Sequence, residues 1–172
     1  MIRTDTEHHR TFNGSAFIFI QWYESRFGGD KVKKGEICTC KKHYKKEPLV
    51  FNINCCSKKN NYFRTALWTG EHLQITLMSI PCGCDIGKEM HSDVDQFIKI
   101  QRGTAKVIMG KCENETELCR EADANCGIVI PAGYWHNIIN TGSTPLKLYS
   151  IYAPPQHPCD TVHKTKKDAE EY

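Results

Sequence analysis

The sequence contains no long uninterrupted apolar segment, and this absence limits where the protein can reside. A membrane-spanning helix needs about 20 consecutive apolar residues, and no run approaches that length. The early apolar run at positions 16–20 is too short for the core of a secretory signal, and the acidic residues Asp5 and Glu7 precede it. We therefore expect a cytoplasmic protein with no membrane partner.

Internal repeats and low-complexity tracts are missing as well. The 172 residues fit one domain with room for a short appendage. The chain is 40% hydrophobic and 25% charged, which excludes wholesale disorder. Ten cysteines are present, an even count that would indicate a disulfide framework in a short secreted chain. Because no export signal is seen and the remaining sequence can build a core, we favour reduced thiols that act as small buried apolar groups over such a framework.

Basic residues are concentrated near the start of the chain. Residues 1–47 hold ten Lys and Arg against six Asp and Glu, whereas residues 48–172 hold thirteen against fourteen. Lysines can neutralise phosphates, but no recognisable nucleic-acid-binding motif accompanies them. We therefore interpret residues 1–47 as a solvated basic extension and do not expect a nucleic-acid partner.

From position 49 onward, short β-rich runs alternate with turn residues, which is typical of an all-β sandwich or barrel. Helical character is predicted only for an acidic turn within 112–124 and a short terminal helix within 163–172. A parallel α/β fold needs crossover helices, and these are missing. The predicted strands are 49–54, 62–68, 72–80, 89–91, 96–101, 104–109, 127–130, 135–140 and 146–152.

Two stretches place residues that often ligate metals on shared strand faces. Side chains alternate along a strand, so Glu89 and His91 project to one side. Gln96 shares a face with two isoleucines; if that face is the interior, Gln96 points inward and Asp95 outward. A Pro-x-Gly turn then starts the strand that carries His136. A carboxylate, two imidazoles and an amide brought together by strand pairing would make a metal site.

These stretches resemble the two motifs of the cupin family, G-x5-H-x-H-x3/4-E-x6-G and G-x5-P-x-G-x2-H-x3-N. Glu89 stands in place of the first His, Gln96 in place of the Glu, and Asn125 in place of the second leading Gly. Residues 62–80 and 91–97 further resemble a group of small single-domain cupins, some labelled mannose-6-phosphate isomerase-like, that share the Glu, His, Gln, His variant. The matching positions are His91, Gly103, Pro131, Gly133, His136 and Asn140.

The resemblance implies a cupin double-stranded β-helix, or jelly-roll barrel, over residues 48–172, behind a poorly ordered extension at 1–47. It also implies that a divalent metal, with Fe, Mn, Zn and Ni as candidates, is bound by four side chains. The alternative is a degenerate cupin whose polar residues only hydrogen-bond inside the barrel. The implied ligands are Glu89, His91, Gln96 and His136.

The leading functional hypothesis is an enzyme acting on a small oxygen-bearing metabolite, such as a sugar or sugar-phosphate isomerase. A cupin dioxygenase and a non-catalytic module that binds or senses a small ligand are the alternatives, because a fold does not fix a function. Against a phosphorylated substrate, the inward strand faces offer few basic residues, of which Arg64 is the only tempting one. The partner expected is a small molecule, and the pairing of barrel edges common among cupins predicts a homodimer.

The remaining residues that could act as ligands receive weaker interpretations. A Cys-Thr-Cys-Lys-Lys-His run at 38–43, followed by the cysteines at 55–56, lacks zinc-knuckle spacing, so we favour incidental thiols over a zinc site. The Cys-Gly-Cys at 82–84 is interpreted as a turn. For His157 and His163, in a Pro-rich tail, surface or capping roles are favoured over lining the barrel mouth.

Overall fold

Strands make up most of the regular structure, as the short alternating runs predict. The computed structural model describes residues 44–171, and across that range it contains ten strands and two short helices. The all-β prediction is confirmed. In chain order the elements are β1 (Tyr44–Lys45), α1 (Ile53–Lys59), β2 (Arg64–Thr69), β3 (Gln74–Ile80), β4 (Asp95–Arg102), β5 (Ala105–Gly110), β6 (Leu118–Ala122), β7 (Gly127–Ile130), β8 (Trp135–Asn140), β9 (Leu146–Ala153), β10 (Val162–His163) and α2 (Lys166–Glu170).

The strands form two sheets that share one apolar core. A seven-stranded sheet has the order β1-β2-β3-β9-β4-β7, with β10 also paired to β2, and a three-stranded sheet has the order β6-β5-β8. β1 is parallel to β2, and the other strand pairs are antiparallel. Two isolated bridges, Asp85 with Ile139 and Glu89 with His136, connect the segment between β3 and β4 to β8. Residues of both sheets contribute to the main core, which makes the barrel two-layered.

The barrel interior changes from apolar to polar along its strands. Residues directly opposite each other in antiparallel strands face the same side of a sheet, so the register aligns three interior rows across β3, β9 and β4. The rows are Met78, Leu148 and Ile100; Thr76, Ser150 and Ile98; and Gln74, Tyr152 and Gln96. The last row is buried although polar, and we call this end of the interior the polar half. Gln96 points inward and Asp95 is exposed, as predicted.

A second apolar cluster lies on the outer face of the larger sheet. There α1 packs its buried Cys56 against Leu67 and Leu77. The predicted strand at 49–54 is wrong, because the side chain of Asn52 accepts a hydrogen bond from the backbone N–H of Cys55 at 2.9 Å and caps a helix that begins at Ile53. This cap satisfies one of the first backbone donors of the helix locally, and residues 49–52 form no strand.

Two further elements differ from the sequence prediction. The segment 112–124 contains strand β6 rather than a helical turn, and β6 pairs with β5 from Leu118 to Ala122. Most of its side chains are exposed, so it lacks the alternation that marks a half-buried strand. Residues 89–91 contribute only the bridge at Glu89. The terminal helix predicted within 163–172 is present as α2, which a capping box between Thr165 and Asp168 begins.

The cysteines depart in part from their predicted role as buried thiols. Cys56 is buried and disulfide-bonded. Six described cysteines are free thiols, but they are exposed or half-buried, so they are not core groups: Cys82, Cys84, Cys112, Cys119, Cys126 and Cys159.

Residues 1–43 of the predicted extension lie outside the described residues. Tyr44 and Lys45, within the same predicted segment, pair with β2. Between residues 44 and 171 no helix combines the length and the apolar character that crossing a bilayer requires.

Neighbouring residues on β7 test the interior packing. Ile130 is 2% exposed and belongs to the main core, whereas Val129 is 67% exposed. We expect Ile130→Ala to lower the free energy of unfolding by about 2–5 kcal/mol, since it leaves a cavity in the core. Val129→Ala, the matched control, should change it by about 0.5 kcal/mol or less. Urea unfolding of both variants makes the comparison, and equal losses would contradict the assigned faces.

Candidate metal site

The segment that carries Glu89 and His91 is irregular, and backbone hydrogen bonds to the next motif hold it in place. Glu89 and His136 exchange two such bonds, with N···O distances of 3.0 and 2.9 Å. The N–H of Gly133 donates to the carbonyl of His91 at 2.7 Å. Gly133 has a φ of +80°, a conformation that favours glycine. These bonds place the two motifs side by side.

The turn before β8 is itself fixed from outside the barrel. The exposed carboxylate of Asp95 accepts a hydrogen bond from the N–H of Ala132 at 2.9 Å. Because Gln96 follows Asp95 on β4, neighbouring residues serve different purposes on opposite faces of the strand. Asp95 supports the turn that leads to His136, while Gln96 faces the interior.

Three of the four predicted ligands meet at one point. The Oε1 atom of Glu89 lies 3.4 Å from Nε2 of His136 and 3.7 Å from Nε2 of His91. The ligand atoms of Glu89, His91 and His136 all lie within 4.8 Å of one another. This His and Glu cluster could hold a metal ion. The Glu89 side chain keeps 24% exposure, so the cluster borders solvent on its side.

The orientation of His136 is set by a backbone carbonyl. Nδ1 of His136 lies 3.1 Å from the carbonyl oxygen of Tyr134. A carbonyl only accepts hydrogen bonds, so this contact places a proton on Nδ1 and makes Nε2 the ring nitrogen that could bind a metal. A second hydrogen bond of this kind commonly orients histidines that bind metals.

Gln96 is the fourth predicted ligand, and it faces the polar half of the interior from β4. Its Nε2 donates to the hydroxyl oxygen of Ser150 at 2.7 Å. This hydrogen bond uses the nitrogen end of the amide and leaves Oε1 buried with no hydrogen-bond partner. An amide oxygen held in this way can act as a neutral ligand.

Unsatisfied polar atoms distinguish this site from ordinary barrel interior. Leaving a buried polar group without a partner costs about 1–3 kcal/mol, and such groups are rare in folded proteins. A carboxylate oxygen, two imidazole nitrogens and an amide oxygen suit a divalent transition metal, so the donor set fits such an ion. The unpartnered buried atoms here include Glu89 Oε1, His91 Nε2, Gln96 Oε1 and His136 Nε2.

Electrostatics keep the carboxylate ionised. Burial raises the pKa of Glu89, but contacts with His136 and His91 and the charge of Arg64 outweigh it and hold that pKa well below its usual range. The Arg64 Nη2 atom lies 3.7 Å from the second oxygen of Glu89. The carboxylate therefore carries its charge at neutral pH, as a metal ligand must.

His157 lies at the edge of the polar half, which corrects the preference for a surface or capping role. Its ring stands edge-on to that of Tyr152 at 5.1 Å, and Tyr152 meets His91 at 5.9 Å. Buried Gln74 holds the backbone of His157 at both polar groups, with hydrogen bonds of 2.7 and 2.9 Å. In the sequence, the only signal for this position of His157 was Gln74, a polar residue on the same strand face as Thr76. That signal could not identify His157 as the partner of Gln74, because the two residues lie far apart along the chain.

The other candidate ligands are not part of this cluster. Residues 38–43 lie outside the described residues, and Cys55 and Cys56 are on α1. Cys82 and Cys84 are exposed thiols in the turn after β3. His163 is buried on β10, where it pairs with Arg64 of β2.

Comparisons with known proteins agree with this fold. The family described as "Cupin domain" matches residues 76–152. The uncharacterized protein YrkC of Bacillus subtilis is 58% identical over 74% of this chain and 69% of its own length. An uncharacterized protein of Acanthamoeba polyphaga mimivirus is 44% identical over 63% of this chain and 67% of its own. The crystal structure of BH2720 from Bacillus halodurans is 52% identical, with a TM-score of 0.73, over 73% of this chain and 96% of that chain.

The protonation of His157 provides a test of its position. Burial and the nearby charge of Arg64 lower the pKa of His157 to about 3, below the value of about 6.5 expected in the unfolded chain. Between these values the unfolded state binds more protons, so the free energy of unfolding should fall as the pH drops from 7 to 4. In EDTA-treated protein we expect His157→Gln to make this fall shallower.

The control for this pH series is His72→Gln, since the His72 side chain is 88% exposed. Urea unfolding at several pH values should give His72→Gln the slope of the wild type. If His157→Gln also followed the wild-type slope, the buried and neutral state assigned to His157 would be wrong.

Proposed function

This chain belongs to the cupin family, and we propose that it is a metal-dependent enzyme acting on a small oxygen-bearing metabolite in the polar half of the barrel. The observation that carries the proposal is the group of four buried donor atoms, one each on Glu89, His91, Gln96 and His136, that have no protein partner. The cupin fold and the cluster of His and Glu side chains are both compatible with a metal-dependent enzyme.

In this proposal the four side chains hold a divalent ion, with Fe, Mn, Zn and Ni as the candidates. Only Glu89 contributes a negative charge, and the two imidazoles and the amide are neutral. When bound, the ion supplies Lewis acidity towards a carbonyl or hydroxyl oxygen. The protein orients the donors through the Tyr134 carbonyl for His136 and the Ser150 hydroxyl for Gln96.

The surrounding side chains support an isomerase-like reaction, in which protons move but no electrons are transferred to a co-substrate. Burial raises the pKa of Tyr152, so its hydroxyl keeps its proton at neutral pH. His157 presents an unpartnered Nε2 atom near the same ring. The Tyr152 hydroxyl and the His157 imidazole can donate protons to a bound metabolite and accept protons from it, while the apolar half of the interior excludes water.

Metal content tests the site. Protein purified without chelators should contain nearly one equivalent of metal, and His136→Ala should reduce this more than tenfold because it removes a buried donor. His72→Ala, at an exposed histidine, should leave the content unchanged. Elemental analysis of the three proteins makes the measurement. A wild type that is free of metal and cannot be loaded would overturn both the site and the enzymatic proposal.

Variants of Gln96 test whether four residues or only three bind the metal. We expect Gln96→Ala to weaken metal affinity at least about tenfold, and Gln96→Glu to restore it by supplying an oxygen donor at the same place. Gln101→Ala, half-buried on the same strand, is the matched control. Competition with a chelator gives the affinities, and an unchanged value for Gln96→Ala would remove Gln96 from the proposed shell.

Turnover separates the enzyme from its alternatives. Metal-loaded protein is incubated without oxygen with sugars, sugar phosphates and hydroxy and oxo acids, and proton NMR follows the mixture. Conversion that His136→Ala lacks supports the isomerase-like proposal. Conversion only after oxygen is admitted supports a dioxygenase, and line broadening without conversion supports a binding module.

Homodimerisation, cytoplasmic location and the division at residue 47 stay predictions.

A further inference from the structure

Arg64 presents a second set of unsatisfied polar atoms beside the candidate metal site. It lies on β2, and its side chain is only 6% exposed. Its Nε and Nη2 atoms are both buried and have no hydrogen-bond partner. These two atoms form one edge of the guanidinium, from which two parallel N–H bonds point in the same direction.

The contact with Glu89 does not satisfy this edge. Nη2 of Arg64 lies 3.7 Å from Oε2 of Glu89, which is longer than a hydrogen bond. Nε of Arg64 is buried and has no hydrogen-bond partner either. The Phe63 ring lies 5.7 Å from Cζ of Arg64 and contacts the guanidinium without accepting a conventional hydrogen bond. A buried cation in this state carries a cost that a bound anion would remove.

Apart from the Glu89 carboxylate, the polar groups around the Arg64 guanidinium are neutral. The Tyr152 hydroxyl and Nε2 of His157 are buried and unpartnered as well. Lys147, the other buried Lys or Arg side chain among residues 44–171, already donates hydrogen bonds to Asn60, Asn61 and Ser79. One guanidinium edge, whose distance to Glu89 is too long for a hydrogen bond, suits a singly charged group with two coplanar oxygens. A phosphate dianion would call for a second cation.

We infer that the ligand of this barrel carries a carboxylate, and that the Nε and Nη2 edge of Arg64 binds its two oxygens beside the candidate metal site. This inference rests on the proposed function and narrows its substrate class to small oxygen-bearing acids. Tyr152 stands edge-on to the rings of both His91 and His157, and the unpartnered hydroxyl of Tyr152 and Nε2 of His157 can offer further polar contacts to the same molecule. Arg64 is thus a residue that determines specificity.

Acetate and its neutral counterpart acetamide provide the test. Both are titrated into the full chain, once after EDTA treatment and once after reloading with zinc, and the Nε–H resonance of Arg64 is followed by NMR. We expect acetate to shift this resonance to saturation in both forms, and acetamide at the same concentrations not to shift it. Acetamide binding as strongly as acetate, or inorganic phosphate binding more tightly, would overturn the inference.

Variants then separate recognition from a structural role. Arg64→Lys keeps the charge but loses the two-pronged edge, and we expect it to weaken acetate binding at least about tenfold. Arg102→Lys, an exposed arginine of β4, should bind acetate as the wild type does. The shift of the Arg64 Nε–H resonance is measured on the wild-type protein, so it does not depend on whether a variant folds. Thermal unfolding checks that Arg64→Lys is folded.

Metal content measured on the same samples keeps the two proposals apart. If Arg64→Lys loses metal and acetate binding together, Arg64 acts by positioning Glu89, which overturns carboxylate recognition and leaves the metal site standing. If wild-type protein holds no metal yet binds acetate through Arg64, the carboxylate inference stands and the metalloenzyme proposal fails. Acetate binding that is unchanged in Arg64→Lys overturns the inference directly.

Discussion

The candidate site depends on the reciprocal pair of backbone hydrogen bonds between Glu89 and His136. The segment between β3 and β4 has no strand of its own at Glu89, so these bonds, at 3.0 and 2.9 Å, fix it against β8. They bring a carboxylate within 3.4 Å of an imidazole. Because the positioning is done by the backbone, the side chains at both positions can present their polar atoms to a ligand.

The polar half of the interior is costly, and the rest of the fold compensates for it. Several buried atoms there lack partners, each at a cost of about 1–3 kcal/mol. The apolar half of the same barrel and the cluster under α1 supply the burial that offsets this cost. Such a division is expected where function requires groups that folding alone would not favour.

Much of the fold could be predicted from local patterns. The strands at 127–130 and 135–140 follow from alternation and turn residues and occur with the same bounds. Strand β6 could not be predicted, since its mostly exposed side chains show no alternation of apolar and polar residues. Only its pairing with β5 makes it a strand. The helix at Ile53 was missed because the apolar run at 49–51 before it suits a strand, whereas the helix begins only after the cap at Asn52.

By itself the sequence determined which strand faces Gln96 and His136 occupy, since side chains alternate along a strand whatever its partner. Glu89, His91, Gln96 and His136 were identified with the help of family motifs that lie within short stretches of the chain. Tertiary structure alone decided that His157 lies beside Tyr152 at the edge of the polar half. A hydrogen bond between Gln74 and the backbone of His157, 83 residues apart in sequence, holds it there. Tertiary structure also decided that Arg64 carries an unpaired guanidinium edge. Alternation and turn preferences act between near neighbours, whereas these contacts depend on the register of strands that are distant in sequence.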